Sequence, residues 1–434
     1  MIRAFPTFHP ALAVFYLLFA LMPLQWMVIG SFGGFTLRPS YLAILAMFVI
    51  VATRPKLINA MQSVVARHGI WLLPYTLYVA WLTLAMVGTP GQGIAFRQVF
   101  FLLSFLAAAS IFAQTGVRAA TVRRLGGLAL LSFIVVTEYL ASKVGQSWTI
   151  AIPRFLTTGD LDYIIYGFFR ATFNAVENAR GTEVGAAEKN ALSVAVFTAG
   201  VLFRMGAPRS APDRLGQAVM AGVIFLLVLL NTRSVLLVAI AGLPLALWLG
   251  IARNGIGNLP ALASKSLLLF AGAAVALLIV SSGHAVFEAL STRFSFGDSS
   301  TVSRFHQWNW ALSRIEGNVL TGAGYGEIDG HPVHNLFLGA WMHAGLGAFL
   351  LVTGAYLAFL AIWLRHLTDT VLRPKVWHLD LRPEWIALLP MTPLFRVWLS
   401  GDAGHPVFVE WMGLAVFCGA LTANAATARN LTGR

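Results

Sequence analysis

The chain has 434 residues, of which 58% are hydrophobic and 11% charged, with 30 Lys+Arg against 17 Asp+Glu and a formal net charge of +13. A soluble domain is about 45–50% apolar and about 25% charged, so a soluble globular enzyme is excluded, as is disorder, which needs low hydrophobicity. The basic residues are not gathered on a polar nucleic-acid-binding domain; they punctuate long apolar runs, as in a polytopic membrane protein that takes its orientation from them.

About 20 mainly apolar residues are needed for a helix to cross the hydrocarbon core. Twelve runs are candidates: 10–30, 39–53, 70–88, 97–113, 125–142, 187–204, 216–232, 234–251, 262–281, 335–364, 385–400 and 406–424. The second and eleventh are short. The tenth is long enough to be strongly tilted, or to be a half-helix leading into a full one. None alternates in polarity as a membrane β-strand does, so the predicted fold is all-α, a polytopic membrane protein with about 12 transmembrane helices. Residues 1–142 carry spans one to five, 143–186 a polar segment, 187–281 spans six to nine, 282–333 a polar loop, and 334–434 spans ten to twelve. Residues 1–30 lack an obvious small-residue cleavage site, so the first run reads as a retained helix.

With the N-terminus cytoplasmic, 18 of the 30 basic residues fall in cytoplasmic loops, among them Arg54, Arg123, Arg204, Arg253 and Arg382. The short outer loops then hold Arg38, Arg97 and Arg233. This bias favours both termini inside and places 143–186 and 282–333 outside. Most of the positive charge is therefore an orientation signal. Cys418 is the only cysteine, which leaves no disulfide framework. No metal-ligand cluster, phosphate-binding loop or heptad array is evident. Gly322-Ala323-Gly324-Tyr325-Gly326 follows no strand and reads as a tight turn.

Only the two polar segments hold enough polar residues to build a site. The second contains an amphipathic helix, predicted over 303–316, with Phe305, Trp308, Leu312 and Ile315 on one stripe and Arg304, Gln307 and Arg314 on another face. Such a helix lies in the membrane interface with Trp at headgroup level; either it is a surface helix that only caps the bundle, or its Arg304 or Arg314 faces a lipid-borne anionic group. His334-Asn335 opens the tenth span. Histidine suits general-base work near neutral pH, although an interfacial histidine bonded to a loop carbonyl is the simpler role. Gly345 falls on the face of His334, where a small residue permits close helix packing. Arg97, Arg233 and Arg396 lie at or within outer helix ends. Arginine is costly at membrane depth and binds phosphate oxygens bidentately. Glu138 and Glu410 are the candidate partners that would make these arginines structural.

Arg304 through Trp308, the glycine-rich turn, His334-Asn335 and Gly345-Leu346-Gly347 together resemble the C-terminal signature of the O-antigen ligase / O-antigen polymerase superfamily. That signature is His, then Asn/Ser/Gln, nine residues, Gly, two residues and Gly/Thr/Tyr. His334, Asn335 and Gly345 match, whereas Ala348 departs at the last position. Asn231-Thr232-Arg233-Ser234 resembles the family's Ser/Thr-Arg turn. The stretch from Phe169-Arg170 to Asn190 resembles its arginine-to-asparagine segment but lacks the usual Gly after Arg.

The resemblance implies a GT-C-like glycosyltransferase of the bacterial inner membrane, with its site on the periplasmic face and no cofactor or metal. It implies an undecaprenyl-diphosphate-linked glycan as donor. The acceptor is a sugar hydroxyl of lipid A–core (ligase) or of a second lipid-linked glycan (polymerase). On this reading His334 is the base, Asn335 orients it or the sugar, and Arg233 with Arg170 or Arg180 clamps the diphosphate. Arg304 is a further clamp or acceptor contact, and Arg97 joins the cationic set. A lipid-glycan flippase or transporter is the competing class. It shares the spans and the arginines, but no repeat relates 1–217 to 218–434, as transporter halves usually show.

Overall fold

A computed structural model describes residues 10–26, 29–32, 35–114, 118–142, 145–158, 163, 185–208, 213–230, 232–254, 299–326, 333–399 and 408–432. Those residues are almost all helical. In chain order come α1 (Pro10–Leu21), a 3-10 turn (Met22–Trp26), and a short antiparallel hairpin of β1 (Gly30–Phe32) and β2 (Phe35–Leu37). Then follow α2 (Pro39–Ala52), α3 (Pro55–Met86), α4 (Gln92–Gln114), α5 (Ala119–Ser142), α6 (Trp148–Thr158), α7 (Gly185–Met205), α8 (Arg214–Leu230) and α9 (Arg233–Asn254). The second polar loop contains α10 (Ser299–Glu316), and after it come α11 (Leu336–Leu372), a 3-10 turn (Pro374–Val376), α12 (Pro383–Ile386), α13 (Met391–Leu399) and α14 (Phe408–Thr432).

Among the described residues, six helices are long and apolar enough to cross a membrane: α3, α4, α5, α9, α11 and α14. Shorter apolar helices lie at Pro10–Leu24, Pro39–Ala52, Ala191–Met205 and Arg214–Leu227. The run 262–281 lies outside the described residues. The run 385–400 is broken: Pro390 separates α12 from α13, because proline cannot donate to the preceding turn. α3 begins at Pro55, well before the apolar run at 70. Proline at the first helical position satisfies an N-terminus that lacks amide partners anyway, so the helix extends through Lys56 and Arg67.

The core is a bundle. α14 packs on α4, α3 on α11 and α4, α5 on α7, and α7 on α8. Gly126 and Gly206 permit the close α5–α7 approach, since a Cβ at either would collide with the facing backbone. One end of the bundle carries the Arg123–Asp213–Arg204 group. Asp213 accepts from Arg123 at 2.9 Å and Arg204 at 2.7 Å. Burial opposes its ionisation, but the Gly216 amide and the two guanidiniums outweigh burial and hold the carboxyl below its ordinary range. Arg253 pairs with Glu384 at 3.4 Å at this same end. The opposite end, called here the His334 end, carries His334, Arg97, Arg396 and Glu410. Among the described residues, Arg123, Arg204 and Arg253 of one charge-sorted set thus lie at one end and Arg97 of the other set at the opposite end.

α11 is two helices in one. It breaks at Gly345, where φ is +82° and ψ −176°. This is a region open essentially to glycine alone. The half-helix Leu336–Ala344 precedes the break and a full-length helix follows it. A chain break at membrane depth frees backbone groups that must find partners. The turn after α10 supplies them: Leu346 N–H donates to Val319 O (3.0 Å) and Ala323 N–H donates to Met342 O (2.7 Å). Trp81 Nε1 of α3 donates to Ala344 O at 3.0 Å. Gly345 is thus a break point, and its small size serves this backbone crossing rather than helix–helix packing. A Cβ there would run into the Leu320 carbonyl. Gly322, at φ +76°, faces the same spot, and a Cβ on it would press on Gly345 N and Met342 O.

Gly345→Ala is therefore expected to cost about 1–3 kcal/mol for the backbone alone, before any clash. Gly354→Ala, in the same helix with open space around it, should be neutral or stabilising by up to about 1 kcal/mol. Thermal unfolding of both purified variants checks the contrast; equal melting temperatures would remove the break as a strained, glycine-dependent feature.

Candidate functional site

His334 sits between α10 and the start of α11. Its backbone is held from both sides: His334 N–H donates to Gln307 Oε1 (3.3 Å) and Trp308 Nε1 donates to His334 O (3.4 Å). Gln307 is 4% exposed. The sequence placed it on the polar face of α10, yet it faces inward, because the His334 amide needs an acceptor. The buried side of α10 is Gln307, Ala311 and Ile315, while Phe305 and Leu312 stay half exposed. The predicted apolar stripe is therefore split, with one edge packed and the other open.

Asn335 caps α11. Its Oδ1 accepts from Phe337 N (3.0 Å) and Leu338 N (3.1 Å), and its Nδ2 donates to Trp398 O at 3.5 Å. Two of the orphan amides at a helix start are satisfied in this way. The Asn335 carbonyl is therefore committed to the cap, and the residue's action on His334 runs through the backbone it fixes. Phe337 packs on Trp398 (4.5 Å between ring centroids) and Tyr356 (5.3 Å), and Trp398 Nε1 donates to the Tyr356 hydroxyl at 3.0 Å. This aromatic group ties α13 to α11.

Arg304 lies one turn before Gln307 and Trp308 and is half buried, so it shares the α10 face that meets His334. Arg233 is the first residue of α9. Its neighbours join the same end of the bundle: Ser193 Oγ of α7 donates to Thr232 Oγ1 (2.7 Å), and Arg396 Nε donates to Ser234 Oγ (3.2 Å). Arg396 also pairs with Glu410 at 2.6 Å, with side chains 3% and 10% exposed. That buried pair makes Arg396 a brace between α9, α13 and α14, as the glutamate-partner reading expects. Glu138 behaves otherwise: it accepts from Ser147 Oγ (2.6 Å) and Trp148 N (2.7 Å) at the start of α6, so its partner is a helix N-terminus. Arg97, in the second turn of α4, lies with Arg38 close enough to the Tyr41 hydroxyl to act on it electrostatically. Tyr41 packs edge-on against Phe408, in the first turn of α14 (5.6 Å). Arg170 and Arg180 lie outside the described residues.

No family model and no curated protein matches this chain.

The geometry thus unites His334, Asn335 and Arg304 in one assembly and sets the start of α9 and the Arg38–Arg97 group at the same bundle end. Among the described residues no three His, Cys, Asp or Glu side chains come together to hold a metal. Sequence reasoning missed Gln307, Trp398 and Trp81 as supports. Each acts across more than twenty residues of chain, and no local pattern marks such a contact.

If Asn335 acts as a cap, Asn335→Ala should cost about 1 kcal/mol and Asn335→Asp, an equally good cap, almost nothing. Denaturation of the two variants in detergent decides this. Equal losses would show that the Nδ2 contact to Trp398, and not the cap, is the stabilising one.

Proposed function

We propose that this chain is a GT-C-like, O-antigen ligase-type glycosyltransferase of the bacterial inner membrane, with about 12 spans, both termini cytoplasmic and the His334 end periplasmic. The observation that carries the proposal is the presentation of His334. Its backbone is fixed by Gln307, Trp308 and the Asn335 cap, beside Arg304 and at the bundle end where α9 starts with Arg233. A histidine held this firmly suits proton transfer, because general-base catalysis depends on position first and on pKa second.

In the proposed reaction a sugar hydroxyl of lipid A–core attacks the anomeric carbon of an undecaprenyl-diphosphate-linked glycan. The carbon–oxygen bond to the phosphate breaks, the diphosphate leaves with the electron pair, and the hydroxyl proton passes to the His334 ring. Negative charge grows on the leaving phosphate. Arg304 and Arg233, with Arg170 or Arg180, are the proposed stabilisers of that charge, and Arg97 belongs to the same cationic end. A single displacement inverts the anomeric centre. With a second lipid-linked glycan as acceptor, the same steps give a polymerase.

Reconstituted protein, given a lipid-diphosphate oligosaccharide and either lipid A–core or further donor, is expected to make a longer or core-linked glycan. His334→Ala should lose about 10²–10⁴-fold of the rate with an unchanged melting temperature. Arg304→Lys should lose most of it, since lysine lacks the bidentate fork. Near-normal transfer by His334→Ala would sink the base assignment. Translocation across vesicles without any product would favour a flippase.

A further inference from the structure

The face of α10 that the bundle leaves open is itself divided. Looking down the helix at 100° per residue, Gln307, Ala311 and Ile315 point into the protein. Val302, Phe305 and Leu312 lie on one exposed flank, with Asn309 and Glu316 between them. Ser303, His306 and Ser313 form an exposed polar flank on the other side. A helix that merely capped the bundle would need two sectors, one packed and one wet. Three sectors suit a helix pressed sideways against the bundle at a boundary between apolar and aqueous phases.

The hydrogen bonds give its depth. Val319 O accepts from Leu346 N and from Trp341 Nε1 (2.9 Å), so the turn after α10 is fastened at the α11 break. Trp81 of α3 is fastened to that break too, through Ala344 O. Trp81 stands five residues before Met86, where α3 ends, which is about 7–8 Å down the helix at 1.5 Å per residue. The α10 turn therefore lies below the end of a membrane-spanning helix. At that depth α3 exposes Trp81, Leu77 and Leu84, the side chains it offers to lipid. Leu320, 73% exposed on the turn, stands at the same level. Arg314 lies over the Trp310 ring (5.9 Å), a pairing of cation and indole that suits the headgroup layer.

We propose that Val302–Leu320 is wedged into the leaflet at the His334 end. The Leu320 turn sits among acyl chains, the Val302–Phe305–Leu312 flank at their upper edge, and the Ser303–His306–Ser313 flank in water. His334, bonded to the middle of this helix through Gln307 and Trp308, then lies at headgroup height and opens to ligands carried by the lipid surface. The inference rests on the chain being membrane-embedded and not on the transfer reaction.

Nitroxide labels on single-cysteine replacements test it in vesicles of phosphatidylcholine and phosphatidylglycerol. The native Cys418 is fully buried and contributes little label. Leu320→Cys and Leu312→Cys should collide with oxygen severalfold more than with an aqueous nickel chelate, and Ser313→Cys should show the reverse. Leu84→Cys gives the lipid reference, and Leu320→Cys should match it. Thr321→Cys, also exposed on the turn, serves if Leu320→Cys misfolds. Nickel-dominated relaxation at 312, 320 and 321 would overturn the proposal and leave α10 as a water-exposed cap.

Discussion

The backbone of α11 stops being helical at Gly345, and the groups freed there need partners at a depth where water supplies few. The turn Val319–Ala323 and the indole of Trp81 provide them. Everything around His334 follows from this repair. Because the turn is fastened to the break, α10 must lie alongside the half-helix. Because α10 lies there, Gln307 and Trp308 reach the His334 backbone. The half-helix, capped by Asn335 and gripped through Phe337 by Trp398, becomes a short rigid post carrying His334 at its top.

The arginines differ in where they sit. Arg396 with Glu410, and Arg204 with Asp213, are buried pairs. Removing one partner from such a pair strands a charge, whereas the intact pair adds little net stability. These arginines hold helices together. Arg304 belongs to another set, half buried and on the α10 face that meets His334. The overall excess of cations is therefore not the clue to a ligand. On the proposed function, the clue is Arg304, on the helix face beside the histidine.

Much of this was legible in the sequence, for physical reasons. Apolar runs announce membrane helices because the bilayer imposes their length, and among the described residues six of the twelve runs lie in helices long and apolar enough to span. The reading of the tenth span as a half-helix joined to a full one holds, and the glycine-rich segment is the tight turn expected of it. The reason for Gly345 was not legible: spacing marks it as a neighbour of His334, while its positive φ comes from a turn docked across the chain. The face on which α10 packs was hidden in the same way. Its apolar stripe is buried only along the Trp308 and Ile315 edge and left open at Phe305 and Leu312, because Gln307 is drawn inward by a backbone amide distant in sequence. Glu138 shows a third limit, since an acidic residue near a span end reads equally well as a cation partner or a helix cap.

The Val319–Ala323 turn is joined to the broken helix and is not a separate surface loop. Amide hydrogen exchange of the wild-type protein in lipid measures this directly. The amides of Ala323 and Leu346 are expected to exchange slowly, on the timescale of the half-helix Leu336–Ala344, as one cooperative unit. Fast exchange at Ala323 and Leu346 beside a protected half-helix would contradict it.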